Sequence, residues 1–319
     1  MARFATLLRR FFRLAPVRIA AGFTFLFLAV VLRDVLLGLF RTAVPIQEPP
    51  AVWLGPGGPA PATWTGALYS LLAAVLTVGL GYGAYRLFTR LLERRTPTEL
   101  ARARAVPELA AGAAIGLGLV SVLVLALWLA GAYRVTAVNG WFFLLAPAAG
   151  SATAAFMEEL AFRGILFRIV EERWGTWLAL GLTAALFGFA HGTNPGATVW
   201  SVTAIVLTAG VVLGAAYALT RRLWLPIGLH FAVNFAQESL FGLPVSGKAG
   251  HGLVEGSLSG PELLTGGQFG IEASVLLIPL GVLLGGALLW QARKRDRIRP
   301  PFWARKLPES APVQPPTGS

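Results

Sequence analysis

The chain has 319 residues, of which 55% are hydrophobic and 13% are charged, and its mean hydropathy is +0.67. Soluble domains are usually about a quarter charged, so this composition, with its long apolar runs, indicates a protein that crosses a membrane several times. The net charge of +12 does not indicate nucleic-acid binding, because the basic residues cluster between the apolar runs, and the absence of cysteine excludes disulfides, thiolate metal ligands and a cysteine nucleophile.

Eight apolar segments are predicted to span the membrane as helices, so the expected fold class is all-α. They are residues 18–40, 64–88, 107–132, 141–167, 177–193, 198–220, 223–242 and 271–290. The first span contains Arg33 and Asp34, which are predicted to neutralise each other near one end of the helix. This span lacks a cleavage site of small residues behind a short apolar run, so it is interpreted as an anchor rather than a signal peptide.

Basic residues in the connecting segments predict the orientation. Arginines and lysines concentrate before span one, between spans two and three, and after spans four, six and eight. The alternate connections hold only Arg134 and Lys248. Because positive residues are retained in the cytoplasm, eight spans with both termini cytoplasmic fit every connection. This arrangement, with no targeting sequence, favours a bacterial inner membrane.

Three segments outside the predicted spans have distinct compositions. Residues 3–18 are basic and amphipathic, and are predicted either to lie on the anionic inner membrane surface or to form an ordinary basic flank. Residues 243–270 are predicted to form a Gly-rich outer loop, in which no chemical role is expected for His251. The Pro-rich end of the chain, residues 300–319, is predicted to be disordered.

Polar side chains occur inside three of the predicted spans, where ionisable groups cost ~2.5–3.5 kcal/mol each on insertion scales. They are Glu158, Glu159, Arg163, His191, His230, Asn234 and Glu238. At a helical rise of about 1.5 Å per residue, all but the last reach overlapping mid-depth, so three helices are expected to converge on one polar pocket. Glu238 is expected near the outer surface, with a structural role.

Helical spacing predicts which of these side chains are partners. Glu159 and Arg163 are four residues apart, which favours an ion pair. Glu158 then points about 100° away around the helix, without a local partner. His230 and Asn234 are also four residues apart and share a helix face.

A carboxylate and histidines in a water-accessible cavity can activate water for peptide hydrolysis. The carboxylate takes a proton from water and later delivers it to the leaving amine, while His and Asn side chains donate hydrogen bonds to the developing oxyanion. Other intramembrane designs do not fit. Neither aspartate lies mid-helix with a partner, no HExxH motif is present, and neither Ser151 nor Ser201 lies in a GxSxG-like turn.

Three motifs in chain order carry a resemblance to a known family. EELAFR (158–163), FGFAH (187–191) and HFAVN (230–234) resemble the EExxxR, FxxxH and HxxxN/D motifs of the CAAX-protease and bacteriocin-processing (CPBP) family, the Rce1-like, Abi-type group of intramembrane glutamate endopeptidases. The resemblance covers residues 141–242. It implies a conical or bundled helical core that cleaves peptide bonds at a site within the membrane, open to the cytoplasm.

The resemblance also implies roles for the motif residues. Glu158 would be the catalytic base and His191 its partner on the water, while His230 and Asn234 would form the oxyanion site. The supporting residues would be Glu159 and Arg163. No cofactor is expected, and a metal held by Glu158, His191 and His230 stays open as an alternative. The expected partners are the lipid bilayer and a membrane-associated peptide or protein substrate, and nucleic acid is not among them.

The expected organisation has four parts, and two other functional classes stay open. Residues 1–140 would hold the basic segment and three spans, 141–242 the catalytic core, 243–299 the outer loop and last span, and 300–319 the cytoplasmic tail. The first alternative is a non-catalytic membrane scaffold or bacteriocin-immunity protein that retains the pocket. The second is a proton-coupled transporter that relays protons through Glu158 and the histidines, although no inverted repeat supports it.

Overall fold

A computed structural model describes residues 14–44 and 64–304, and these residues are mostly helical, which confirms the all-α prediction. The helices of the described residues are α1 Ala15–Ala43, α2 Trp64–Leu91, α3 Ala105–Leu129, α4 Leu145–Glu159, α5 Arg168–Ala190, α6 Val199–Ile205, α7 Val211–Thr220, α8 Trp224–Phe235, α9 Glu262–Thr265 and α10 Leu277–Lys294. Two short strands accompany them, β1 Tyr133–Val138 and β2 Val254–Leu258. The predictions for residues 3–13 and 305–319 lie outside the described residues.

Four helical segments of the described chain are long and apolar enough to cross a membrane. They are Ala15–Thr42, Trp64–Leu91, Thr98–Leu129 and Val199–Thr220. These segments correspond to predicted spans one, two, three and six, so the chain is a membrane protein. In span one, Arg33 Nη2 lies 2.6 Å from Asp34 Oδ1, as predicted. The total of eight spans stays a prediction, because the other four segments are short, charged or interrupted.

We expect the orientation to be measurable with single cysteines, since the chain has none of its own. Thr96 and Ser259 are both exposed, and the basic residues place them on opposite sides of the membrane. Thr96→Cys and Ser259→Cys should therefore react with an impermeant thiol reagent from opposite sides of sealed vesicles. Reaction of both variants from one side would contradict the eight-span orientation.

Three stretches of wider π-helical winding interrupt the described helices. These π segments are Leu160–Phe167 between α4 and α5, Val206–Gly210 between α6 and α7, and Ala236–Leu240 after α8. Predicted spans four and five follow each other through the first π segment and α5, and the helix is broken at Gly175, between the two spans. Each π segment contributes an unusual turn to a helix, and such turns often occur at functional sites.

Helix α5 is broken at Gly175, against which residues 299–301 pack. Gly175 has φ 78°, a conformation that glycine adopts at little cost. Beside it, Thr176 N–H donates to the Arg299 carbonyl at 3.0 Å, and Arg299 N–H donates to Thr176 Oγ1 at 2.8 Å. Residues 302–304 then form a 3-10 turn. The prediction that disorder begins at residue 300 is therefore wrong for 300–304, because backbone hydrogen bonds hold this stretch on α5.

Residues 241–276, called the outer segment below, are more ordered than the predicted Gly-rich loop. Within them β2 pairs antiparallel with β1, and Tyr133 lies opposite Leu258. The Tyr133 hydroxyl donates to the Phe241 carbonyl at 3.0 Å. The prediction of an irregular loop is thus wrong for residues 254–258, which form strand β2. Glycine permits this packing, because a side chain at Gly256 would collide with the Phe241 carbonyl.

Three arginines surround one buried carboxylate where the basic ends of α1, α2 and α5 meet. Glu93 Oε1 lies 2.5 Å from Arg18 Nη2 and 2.8 Å from Arg168 Nη2, and Glu93 Oε2 lies 2.7 Å from Arg95 Nε. Burial alone would raise the pKa of Glu93, but the guanidinium groups outweigh it and hold that pKa below its usual value. This Glu93 cluster joins three helices at the end predicted to be cytoplasmic.

Replacing Glu93 with glutamine is expected to destabilise the protein by about 3 kcal/mol near neutral pH, because arginines would stay buried without their shared carboxylate. A depressed pKa contributes stability above the unfolded value of about 4.3 and loses it as pH falls through the folded value. The difference in thermal unfolding temperature between the wild type and Glu93→Gln should therefore become smaller below about pH 4. Glu172→Gln, at a more exposed member of the same network, should cost less. Equal losses of stability in Glu93→Gln and Glu172→Gln would contradict the central position of Glu93 in the cluster.

Candidate functional site

A cavity of about 250 Å³ lies among α3, α4, α5, α7, α8 and α10. Its wall is largely apolar, with contributions from Leu119, Phe162, Phe187 and Leu229. The polar residues on the wall include four that the sequence singled out, namely Glu158, His191, His230 and Asn234. The structure thus brings side chains from three helical elements into one cavity. Their catalytic roles stay predictions.

A buried ion pair between Glu159 and Arg163 also contacts His230 of α8. Arg163 Nη1 donates to Glu159 Oε1 at 2.8 Å, and neither side chain has any exposed surface. His230 Nδ1 lies 3.0 Å from the same carboxylate oxygen. Arg163 Nη2 also donates to the Gly210 carbonyl at 3.2 Å. The Glu159–Arg163 pair is as the helical spacing predicted, whereas its link to His230, 71 positions away, has no signal in the sequence.

The Glu159 carboxylate determines which nitrogen of the His230 ring carries a hydrogen. An ionised carboxylate only accepts hydrogen bonds, so His230 Nδ1 carries a hydrogen. When the ring is protonated, Nε2 is also a donor. His230 Nε2 lies 3.9 Å from Glu158 Oε2. The protonated ring therefore presents a donor to the cavity next to the Glu158 carboxylate.

Glu158 differs from Glu159 in its surroundings. Its side chain is 30% exposed, whereas that of Glu159 is fully buried. Glu158 Oε2 is nevertheless shielded and has no hydrogen-bond partner among the described residues. At 3.9 Å it is too far from His230 Nε2 for a direct hydrogen bond, but one molecule can contact both atoms. Of the two adjacent glutamates, Glu158 is the one that lines the cavity.

His191 directly follows the last residue of α5, near the end of the predicted span 177–193. A short 3-10 turn, His191–Thr193, follows the helix directly. His191 Nδ1 lies 2.7 Å from the Phe187 carbonyl oxygen. A carbonyl only accepts, so Nδ1 carries the hydrogen, and Nε2 offers a lone pair when the ring is neutral. This contact fixes which ring nitrogen is available to a substrate or water.

Asn234 and Glu238 lie one and two turns beyond His230. Asn234 is buried on α8 and shares the cavity with His230. Glu238, in the following π segment, is only 2% exposed, and its position near the outer surface of the membrane stays a prediction. The outer segment covers it, since Gly252 packs so closely that a side chain there would collide with the Glu238 and Ser239 carbonyls.

Three polar residues that the outer segment contributes to the cavity wall were missed by sequence reasoning. Ser246, Lys248 and Glu272 belong to the outer segment, outside the motifs. Glu272 Oε2 accepts hydrogen bonds from Ser246 N–H at 2.5 Å and from Ser246 Oγ at 2.9 Å. A signal for Glu272 was present, because it is an ionisable residue inside the predicted span 271–290.

The position of the outer segment affects the membrane face from which a substrate can enter the cavity. It forms a wall on the side that the basic residues assign to the exterior, away from the Glu93 cluster. The resemblance implies a site open to the cytoplasm. A wall on the exterior side does not conflict with an opening to the cytoplasm, and the thiol-labelling experiment above tests the orientation on which both statements depend.

The alternative of a metal ion held by Glu158, His191 and His230 requires these side chains to form a compact group of ligands. Within residues 14–44 and 64–304, no three His, Asp or Glu side chains form a group able to hold a metal. The arrangement of Glu158, His191 and His230 therefore gives the metal alternative no geometric support in the described chain. Resistance of activity to chelators is the direct test.

Comparison with known proteins gives one match. The family model described as type II CAAX prenyl endopeptidase, Rce1-like, matches residues 139–236, which include all the motif residues. No curated protein and no solved structure matches the chain. The matched range lies almost wholly within the core expected at 141–242. Over residues 139–236, the chain is therefore similar to the Rce1-like family of type II CAAX prenyl endopeptidases.

Proposed function

We propose that the protein is an intramembrane endopeptidase that cleaves membrane-associated peptides with a water molecule activated by Glu158. The observation that carries the proposal is the shielded, unpartnered Oε2 of Glu158, which shares a cavity with His191, His230 and Asn234. Glu159 Oε1 is held by hydrogen bonds to Arg163 and His230, whereas Glu158 Oε2 accepts none from the described residues, so Glu158 is the freer of the two to exchange a proton. The family match supports the reaction class.

The chemical step follows from the atoms available. Glu158 takes a proton from water, and the water oxygen bonds to the scissile carbonyl carbon. His191 Nε2, with its lone pair, accepts a hydrogen bond from the same water. The carbonyl oxygen becomes an oxyanion, to which His230 Nε2 and the Asn234 amide donate. Glu158 then delivers its proton to the amide nitrogen as the carbon–nitrogen bond breaks, which leaves a carboxylic acid and an amine.

The supporting residues position this site rather than react. Arg163 and Glu159 hold His230 through a fully buried contact, so the imidazole has little freedom to rotate. The guanidinium also lies over the Phe187 ring, 4.7 Å from its centroid, and Phe187 provides the carbonyl that orients His191. One arginine is thereby linked to both histidines.

Membrane proteomics of cells that carry the wild type or Glu158→Gln tests the proposal. New peptide termini that appear only with the wild type support a protease and identify its substrates. The scaffold or immunity alternative predicts identical termini in both strains, and a transporter predicts substrate flux in liposomes without cleavage. Purified protein that loses activity with a chelator and regains it with metal would favour the metal-dependent alternative.

A further inference from the structure

The polar face of α8 that carries His230 and Asn234 continues into the π segment that follows it. Gln237 lies three residues beyond Asn234 and lines the same cavity. Within the π segment Ala236–Leu240 it is the residue that lines the cavity. Its backbone is fixed, because the Gln237 carbonyl accepts a hydrogen bond from Leu243 N–H at 2.8 Å. The cavity thus has a third polar side chain on this face, and the reaction described above gives it no role.

One end of the Gln237 amide has a hydrogen-bond partner and the other end has none. Nε2 donates to the Val233 carbonyl oxygen at 3.4 Å. Turning the amide over would bring two acceptor oxygens together, so Oε1 is the atom that points away from Val233. Gln237 is 1% exposed, and Oε1 has no hydrogen-bond partner among the described residues. A buried amide oxygen without a donor is unfavourable, so a donor brought by a bound molecule would stabilise it.

A peptide inside the cavity would bring such a donor. Each peptide unit carries one N–H and one carbonyl group, and both need partners when they leave water. The proposed reaction provides donors for the scissile carbonyl, namely His230 and Asn234, but no acceptor for a substrate N–H. Of the two carboxylates on the wall, Glu158 reacts with water, and Glu272 Oε2 already accepts two hydrogen bonds. Gln237 Oε1 is an uncharged acceptor that remains available.

We infer that Gln237 Oε1 accepts a hydrogen bond from a backbone N–H of the bound substrate. In an extended chain, the N–H and the carbonyl of one residue point to the same side, as in a hydrogen-bonded strand pair. The partner is therefore an N–H on the side of the scissile carbonyl, whereas the N–H of the scissile bond points to the other side. Gln237 takes no proton, so it positions the substrate. The inference rests on the proposed function for the identity of the substrate, but acceptance of a peptide N–H is measurable without cleavage.

The chain has five glutamines, so the side-chain carbonyl of Gln237 can be observed by NMR after labelling with glutamine that carries ¹³C at Cδ. Substitution of the other four, one at a time, assigns the Gln237 signal by elimination. N-methylacetamide, which is a single peptide unit, should shift this signal saturably. N,N-dimethylacetamide lacks the N–H and should shift it far less. A Gln237 signal that responds equally to both amides, or to neither, would overturn the inference.

Gln268 is the matched control for this measurement, since it is an exposed glutamine of the outer segment. Its signal should respond to both amides alike. The measurement retains the native side chain at position 237, so it does not depend on whether a Gln237 variant folds.

Kinetics test the same contact with the peptide whose wild-type-specific terminus the membrane proteomics identifies. Gln237→Met keeps the length of the side chain but removes the acceptor. It should raise KM about tenfold with kcat nearly unchanged, because the contact is present in both the ground state and the transition state. Asn234→Ala should show the opposite pattern.

Analogues of this peptide, with one N–H at a time replaced by an ester oxygen outside the scissile bond, locate the N–H that Gln237 binds. At one position the wild type should lose affinity about tenfold. The same replacement should cause no further loss in Gln237→Met. Losses that add to the effect of Gln237→Met at every position would contradict the contact.

The outcomes separate this inference from the proposed function. If the wild type cleaves nothing but Gln237 distinguishes the two amides, the proposed function fails and the acceptor for a peptide N–H stands. If the wild type cleaves and Gln237 does not distinguish them, the protease stands and the role of Gln237 fails.

Discussion

Glu158→Gln is expected to abolish peptide cleavage while the protein still accumulates in the membrane. Glutamine keeps the size of the side chain but has no carboxylate to take a proton from water or return one to the leaving amine. Loss of general acid–base catalysis costs about 10²–10⁴-fold, and one residue serves both steps here, so the upper end of that range is expected. Single-turnover cleavage of a membrane peptide in liposomes measures the effect.

Glu159→Gln is the matched control, because it makes the same chemical change at the adjacent position. Glu159 contacts Arg163 and His230 and is fully buried, so its loss leaves an arginine without its partner. We expect lower thermal stability and less protein, with residual cleavage by the fraction that folds. Normal cleavage by Glu158→Gln would show that the mechanism is wrong, whatever the behaviour of Glu159→Gln.

Asn234→Ala is expected to lower turnover by about 10²–10³-fold, or ~2.7–4 kcal/mol, with little change in substrate binding. The amide lies one turn beyond His230 in a shielded cavity, and it is neither a base nor a good metal ligand. It can donate a hydrogen bond where negative charge develops. Because that bond strengthens in the transition state, its loss affects the chemical step rather than binding.

The measurement combines single-turnover cleavage with peptide binding on a Glu158→Gln background, where no cleavage interferes. Asn194→Ala is the control, since it removes an amide from the same cavity but outside the HFAVN motif. Its rate should stay within a few-fold of wild type. If Asn234→Ala weakens binding and leaves the single-turnover rate unchanged, the oxyanion assignment must be abandoned.

Sequence reasoning anticipated the parts of this protein that depend on local pattern. Long apolar runs predicted the four spanning helices, and four-residue spacing predicted the Glu159–Arg163 contact. Contacts between distant parts of the chain left no such pattern. His230 and Glu159 meet only because α8 packs against α4, and Glu272 reaches the cavity only through a turn held by backbone hydrogen bonds. Those contacts depend on packing and on close backbone approach, which periodicity does not encode.

The π segment Leu160–Phe167 has a consequence for how the site is inherited and engineered. It lies between the glutamate pair and Arg168, which is anchored in the Glu93 cluster. Each residue of a regular helix turns the chain by about 100°, whereas the wider winding of a π segment accommodates an extra residue. Deleting one residue from 164–167 would touch no motif residue, yet it would either remove the wide turn that contains Arg163 or rotate both glutamates by about 100° relative to Arg168. The length of this stretch is thus as much a part of the site as its side chains.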